Sequence, residues 1–169
     1  IMNYEDDKPN SYCGIFGIYG SETASAQAYY GLHALQHRGQ EASGIVTRSF
    51  NGDNRAHFNI VKGEGLVSEV FADHNLLTDV LFGNSAIGHN RYSTTGSAKS
   101  RKNIQPFMVN YRMGNLAIGH NGNLTNAKEL REELVNEGAI FQTTSDTEVI
   151  LHLIARSKLD NQIDQIMEA

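Results

Sequence analysis

With 169 residues the chain has room for one domain with a real core and not for a second full one. A 40% hydrophobic, 20% charged composition is that of an ordinary globular protein, and no apolar run approaches the roughly 20 residues that cross a bilayer, so a membrane role is set aside. The net charge of -5 offers no basic face for nucleic acid, and one cysteine without a basic, apolar leader predicts neither a disulfide framework nor export; a cytoplasmic protein is expected.

Residues 1–12, IMNYEDDKPNSY, are acidic, polar and broken by Pro9, and they read as a mobile tail or a propeptide. Order is predicted to begin at Cys13, where Ile15, Phe16, Ile18 and Tyr19 lie among glycines in a strand-like run. Ala24, Ala28, Leu32 and Leu35 then recur at helical spacing, with Ser21 as the predicted N-cap and Gly39 as the stop. Strand-like runs at 44–50 and 57–61 flank Asn51-Gly52, a hairpin signal.

Ala86-Ile-Gly-His-Asn90 is echoed by Ala117-Ile-Gly-His-Asn121, each read as an apolar strand end entering a polar turn. Asn126 with Glu129, and Ser145 with Glu148, have the form of capping boxes. The first opens a helix through Leu130 and Leu134 that Gly138 closes; the second opens one carrying Val149, Ile150, Leu153 and Ile154, with Asp146 in its first turn. Strands in the middle with helices at both ends predict a layered α+β domain with mostly antiparallel pairing.

Cys13 has two readings. Free cysteine commonly serves as a small core residue. Cleavage before Cys13, however, would give it an α-amine with a pKa of about 7.7 to 8.0, suited to take the proton of a thiol near 8.5. Histidines compete as bases or metal ligands. His33 and His37 lie one helical turn apart, but no third ligand accompanies them, and no metal site is expected. His89 and His120 are read as hydrogen-bonded structural groups. Taken singly, Asn121-Gly122 is a plain turn, Arg91 a surface charge and Asp146 a helix-capping carboxylate.

Five blocks change that reading: CGIFGIYG from Cys13, LQHRGQEASGI from Leu35, GHNRYSTTG from Gly88, IGHNGNLTN from Ile118 and TSDTEVI from Thr144. In order and spacing they resemble the class II glutamine amidotransferases of the N-terminal-nucleophile hydrolase fold, and most closely the amidophosphoribosyltransferase family. The resemblance implies an α+β, four-layer αββα sandwich of antiparallel sheets, and glutamine as substrate. It implies that Cys13 is the nucleophile, forming a γ-glutamyl thioester and releasing ammonia. Asn121 and Gly122 would face the oxyanion, Arg91 would clamp the α-carboxylate beside Tyr92 and Thr94, and Asp146 would receive the α-ammonium. Arg38 would order the site more than touch substrate.

Two departures follow from the same resemblance. In the chain as it stands the Cys13 amine is tied to Tyr12, a form expected to be inactive until the tail is removed. The phosphoribosyltransferase domain that family enzymes carry is absent, so 13–169 is expected to be a C-terminally incomplete glutaminase domain. No cofactor is expected in this segment; the Mg2+ used with phosphoribosyl pyrophosphate, and the 4Fe-4S cluster of some members, belong elsewhere in family enzymes, which also imply a homo-oligomer, a tetramer by resemblance. Rival readings are a class II enzyme of the glucosamine-6-phosphate, asparagine or glutamate synthase type, and a non-catalytic regulatory module of the same fold.

Overall fold

Branched and aromatic residues spaced by glycine suit a pleated, buried sheet, and they build one here. In the computed structural model, which describes residues 13–50, 56–92 and 101–169, the strands are β1 (Gly14–Tyr19), β2 (Ala42–Phe50), β3 (Ala56–Glu64) and β4 (Ser85–Arg91). They pair in the order β1-β4-β2-β3, antiparallel throughout. A hairpin of β5 (Phe107–Tyr111) and β6 (Gly114–Ile118) forms a second sheet among the described residues.

Register decides what each face does. Phe16, Gly88, Ile45 and Val61 are aligned across the first sheet, under helix α1 (Ala24–Ala34) and the short α2 (Val67–Val70). Ala24, Ala28 and Leu32 are fully buried there with Ile45, Val67, Phe71 and Leu81. Burying a leucine or phenylalanine side chain stabilises by roughly 1.5 to 3 kcal/mol, so this layer anchors the domain. The opposite face carries Gly17, Tyr19, Val46, Phe58 and Ile87, which with Ala117 of β6 line an apolar cavity of about 380 Å3.

Beyond the hairpin lie α3 (Ala127–Asn136), α4 (Asp146–Arg156) and α5 (Gln162–Glu168). Gln105 Nε2, just ahead of β5, donates to Thr147 Oγ1 of α4 at 3.1 Å, and Tyr111 Oη donates to Gln165 Oε1 of α5 at 2.8 Å. Helices, sheet, hairpin and helices thus follow one another as four layers, the expected α+β arrangement.

Local details differ from the sequence-based expectations for physical reasons. Helix α1 starts after Thr23, because Ser21 Oγ accepts from Thr23 N–H at 3.3 Å and Gln27 Nε2 at 2.8 Å and organises the preceding turn instead. Ala86–Asn90 is the interior of β4, paired on both sides, and only the second echo leaves a strand. Asn126 precedes α3 without a side-chain capping bond. Ser145 Oγ does cap α4 through Thr147 N–H, whereas Glu148 reaches the N–H groups of Gln142 and Thr143 at 2.8 Å rather than that of Ser145. The Asn51-Gly52 turn and the 1–12 segment lie outside the described residues.

Candidate active site

Cys13 directly precedes β1, and because Gly14 pairs with Asn90 the cysteine stands beside the Arg91 end of β4. It is half-buried, and its Sγ donates to Tyr92 O at 3.9 Å, a long contact even for sulfur. A cavity of about 510 Å3 opens at this point. Cys13, His89, Arg91 and Tyr92 form one wall, and Thr144, Ser145 and Asp146, where α4 begins, form another. A thiol, a guanidinium and a carboxylate therefore share one polar chamber, a charge pattern that suits a zwitterionic amino acid.

The α4 wall is fixed by its neighbours. Arg131 donates to Thr143 O at 3.0 Å and Ser145 O at 2.9 Å, and its guanidinium stacks 4.0 Å over Phe141. Asn103 exchanges bonds with Thr144 through Nδ2 to Oγ1 at 2.7 Å and through Thr144 N–H to Oδ1 at 3.1 Å. Asp146 Oδ2 accepts from Leu124 N–H at 2.8 Å, while Oδ1 lies 3.7 Å from His120 Nδ1. The aspartate thus ties the 119–124 loop to α4 as well as lining the chamber.

His120 is bound from several sides. Its N–H donates to Gln105 Oε1 at 2.7 Å, its carbonyl lies 3.2 Å from His89 Nε2, and its Nδ1 meets Thr147 Oγ1 at 3.3 Å. Lys62 Nζ donates to Ile104 O at 2.6 Å and Pro106 O at 3.4 Å, holding the loop that presents Gln105; burial lowers the pKa of that lysine. His89 is 1% exposed, and burial lowers its pKa to about 4 despite its bond to the His120 carbonyl.

Asn121 and Gly122 follow His120 and are exposed at the mouth of this loop. A side chain at position 122 would crowd the imidazole: a Cβ there would lie 2.7 Å from His120 Nε2, which would have to shift to admit it. Arg38 is half-buried in a 3-10 turn (Gln36–Arg38) outside the cavity lining. The next residue, Gly39, backs onto the main chain of Asn90 and Arg91, where an added Cβ would come within 2.8 Å. Thr94 lies outside the described residues. The geometry thus brings Cys13, Arg91, Tyr92 and Asp146 into one chamber; Asn121 and Gly122 are not among the residues that line it, whereas the next residue, Asn123, is. Gln105, Asn103 and Arg131 escape sequence reasoning, since each is a lone polar residue whose partners are distant in the chain.

The glutamine amidotransferase domain family matches residues 89–168. The chain is 51% identical to amidophosphoribosyltransferase 2, chloroplastic, of Arabidopsis thaliana over 97% of its own length and 28% of that protein. It is 48% identical to the amidophosphoribosyltransferase of Lacticaseibacillus casei, covering 92% of this chain and 76% of that one. A solved structure described as the allosteric regulatory enzyme of purine biosynthesis superposes with a TM-score of 0.80 at 47% identity, over 90% of this chain and 31% of its own. The chain therefore spans less than a third of the plant relative and of that solved enzyme. With the N-terminal-nucleophile hydrolase fold and this length of similarity, the chain belongs to the amidophosphoribosyltransferase family and corresponds to its glutamine amidotransferase domain.

Proposed function

We propose that this domain hydrolyses glutamine at Cys13 once residues 1–12 have been removed. The observation that carries the reading is the shared chamber of Cys13, Arg91 and Asp146. In this reading the freed α-amine of Cys13 takes the thiol proton, the thiolate attacks the side-chain carbonyl, and ammonia leaves as a γ-glutamyl thioester forms. Water then hydrolyses the thioester to glutamate. His89 is a poor rival base, because an imidazole of pKa about 4 holds a thiol proton weakly at neutral pH.

Arg91 pairs with the α-carboxylate and Asp146 with the α-ammonium, while Tyr92 and Thr94 border the same substrate and Arg38 orders the turn behind it. The amide of Asn121 and the N–H of Gly122 receive the charge that builds on the attacked oxygen, where one donor contributes roughly 3 to 4 kcal/mol in enzymes of this kind. These steps draw on no metal or cofactor. In a longer parent protein the ammonia would meet phosphoribosyl pyrophosphate to form 5-phosphoribosylamine, the first step of purine nucleotide synthesis, within a homo-oligomer such as a tetramer. No helix among the described residues is long and apolar enough to cross a membrane. Cytoplasmic residence is part of the proposal, and the chloroplastic naming of the plant relative supplies its rival.

N-terminal sequencing and intact mass of active protein test the central step. The expected result is Cys13 as first residue and stoichiometric labelling at Cys13 by a diazoketone analogue of glutamine. Full glutaminase activity with residues 1–12 attached would overturn the amine as base, and absence of labelling after their removal would identify a non-catalytic module.

A further inference from the structure

Two buried polar side chains converge on one residue that is not itself among the proposed reacting groups. Gln105, 8% exposed, accepts from the N–H of His120; His89, 1% exposed, meets the carbonyl of the same residue. Since a carbonyl can only accept, Nε2 of His89 carries the proton and donates, and Nδ1 holds the lone pair. That Nδ1 is buried and has no hydrogen-bond partner among the described residues. A side chain whose one side-chain bond among the described residues goes to the His120 carbonyl, and whose other nitrogen is left unmet there at a cost, is a poor choice for filling space.

What the bond fixes is the plane of the peptide joining His120 to Asn121. That plane fixes the chain entering Asn121, from which the Asn121 side chain and, through the next peptide, the Gly122 N–H project. Strand β4 supplies His89 from the position paired with Ile15, two residues from Cys13, so the tie runs from the strand beside the nucleophile to the turn that must face it. On the other side, Gln105 Nε2 donates to Thr147 Oγ1, so the same clamp is referenced to α4.

We propose that His89, with Gln105, is a positioning residue that aims the Asn121-Gly122 corner at the oxygen of the attacked carbonyl; this rests on the glutaminase reading above. Its contribution is felt only when that oxygen carries charge, so ground-state binding of glutamine is indifferent to it. Replacement by an apolar residue removes the donor together with the unmet nitrogen, while glutamine at position 89 returns an N–H at similar reach.

The test uses the processed full chain, with His89→Leu and His89→Gln compared. Loss of one oxyanion donor lowers kcat about 100- to 1000-fold, and a misaimed corner retains part of its effect, so His89→Leu is expected to lower kcat roughly 10- to 100-fold. KM for glutamine is expected to move less than about 3-fold, and His89→Gln to recover most of kcat. Glutamate γ-semialdehyde gives a second readout: the Cys13 thiolate adds to the aldehyde carbon, the carbonyl π pair moves to oxygen, and the resulting charge sits in the corner. Affinity for this aldehyde is expected to fall in parallel with kcat, while affinity for glutamate, which forms no such adduct, stays level. Equal losses for both ligands, or an unchanged kcat in His89→Leu, would overturn the positioning role while leaving the glutaminase reading intact. Absence of both turnover and Cys13 labelling in the parent protein would overturn the two together.

Discussion

Asn90 offers a stability prediction that can be worked from its bonds. It is fully buried in β4, donates through Nδ2 to Leu32 O at 2.7 Å and accepts at Oδ1 from Ser43 Oγ at 2.9 Å. Leu32 O lies in the last turn of α1, where carbonyls have no intrahelical donor, so Asn90 meets an obligation the helix cannot meet itself. Asn90→Ala leaves a buried carbonyl and a buried hydroxyl unmet, at about 1 to 3 kcal/mol each, and a loss near 3 kcal/mol follows. For a domain of this size that corresponds to a Tm lower by roughly 6 to 12 °C, read by thermal unfolding and by urea midpoint at unchanged slope. Ser43→Ala, which breaks one bond of the two, is expected to lose less. An Asn90→Ala protein melting within about 2 °C of its parent would refute this accounting.

Three further outcomes are expected. Arg91→Ala removes a charge-assisted fork and is expected to raise KM for glutamine about 10- to 100-fold with a smaller change in kcat, with Arg91→Lys recovering only part; an unchanged KM in steady-state kinetics counts against the carboxylate clamp. Gly122→Ala pushes a methyl toward His120 Nε2, which must swing away from Thr147 and Asp146; an overpacking loss of about 1 to 3 kcal/mol and a lower kcat are expected by melting and turnover. His89 is neutral in the fold because burial lowers its pKa from 6.5 to about 4, whereas the unfolded chain takes up a proton below 6.5. Its contribution is therefore complete above pH 6.5, falls by about 3 kcal/mol between 6.5 and 4, and is lost below; urea titrations across this range should show that slope reduced in His89→Gln.

Periodic features were legible in the sequence. Of the Ala24, Ala28, Leu32, Leu35 stripe the first three are buried, while Leu35 is half-buried just past the end of α1; the paired strands flanking 51–55 are present, and Ser145 caps the helix that begins with Asp146. His89 and His120 are hydrogen-bonded groups, again as read. Less was legible where no period exists. Helix α5 is short, and its apolar residues Ile163, Ile166 and Met167 are largely exposed, so no clear core stripe announces it. Gln105 looks like any polar residue before a proline, and its importance comes from bonds to residues 15 and 42 positions away. The resemblance pointed to Cys13, Arg91 and Asp146 as a set, but only tertiary structure shows which neighbours hold each in place.

The chamber draws its walls from opposite ends of the described chain, with Cys13 and Asp146 meeting across it. A partly folded species containing only the first sheet and its covering helices would own the sulfur without the carboxylate; one containing only the hairpin and final helices would own the reverse. In the glutaminase reading, turnover would consequently be an all-or-none signal of long-range closure between these two halves.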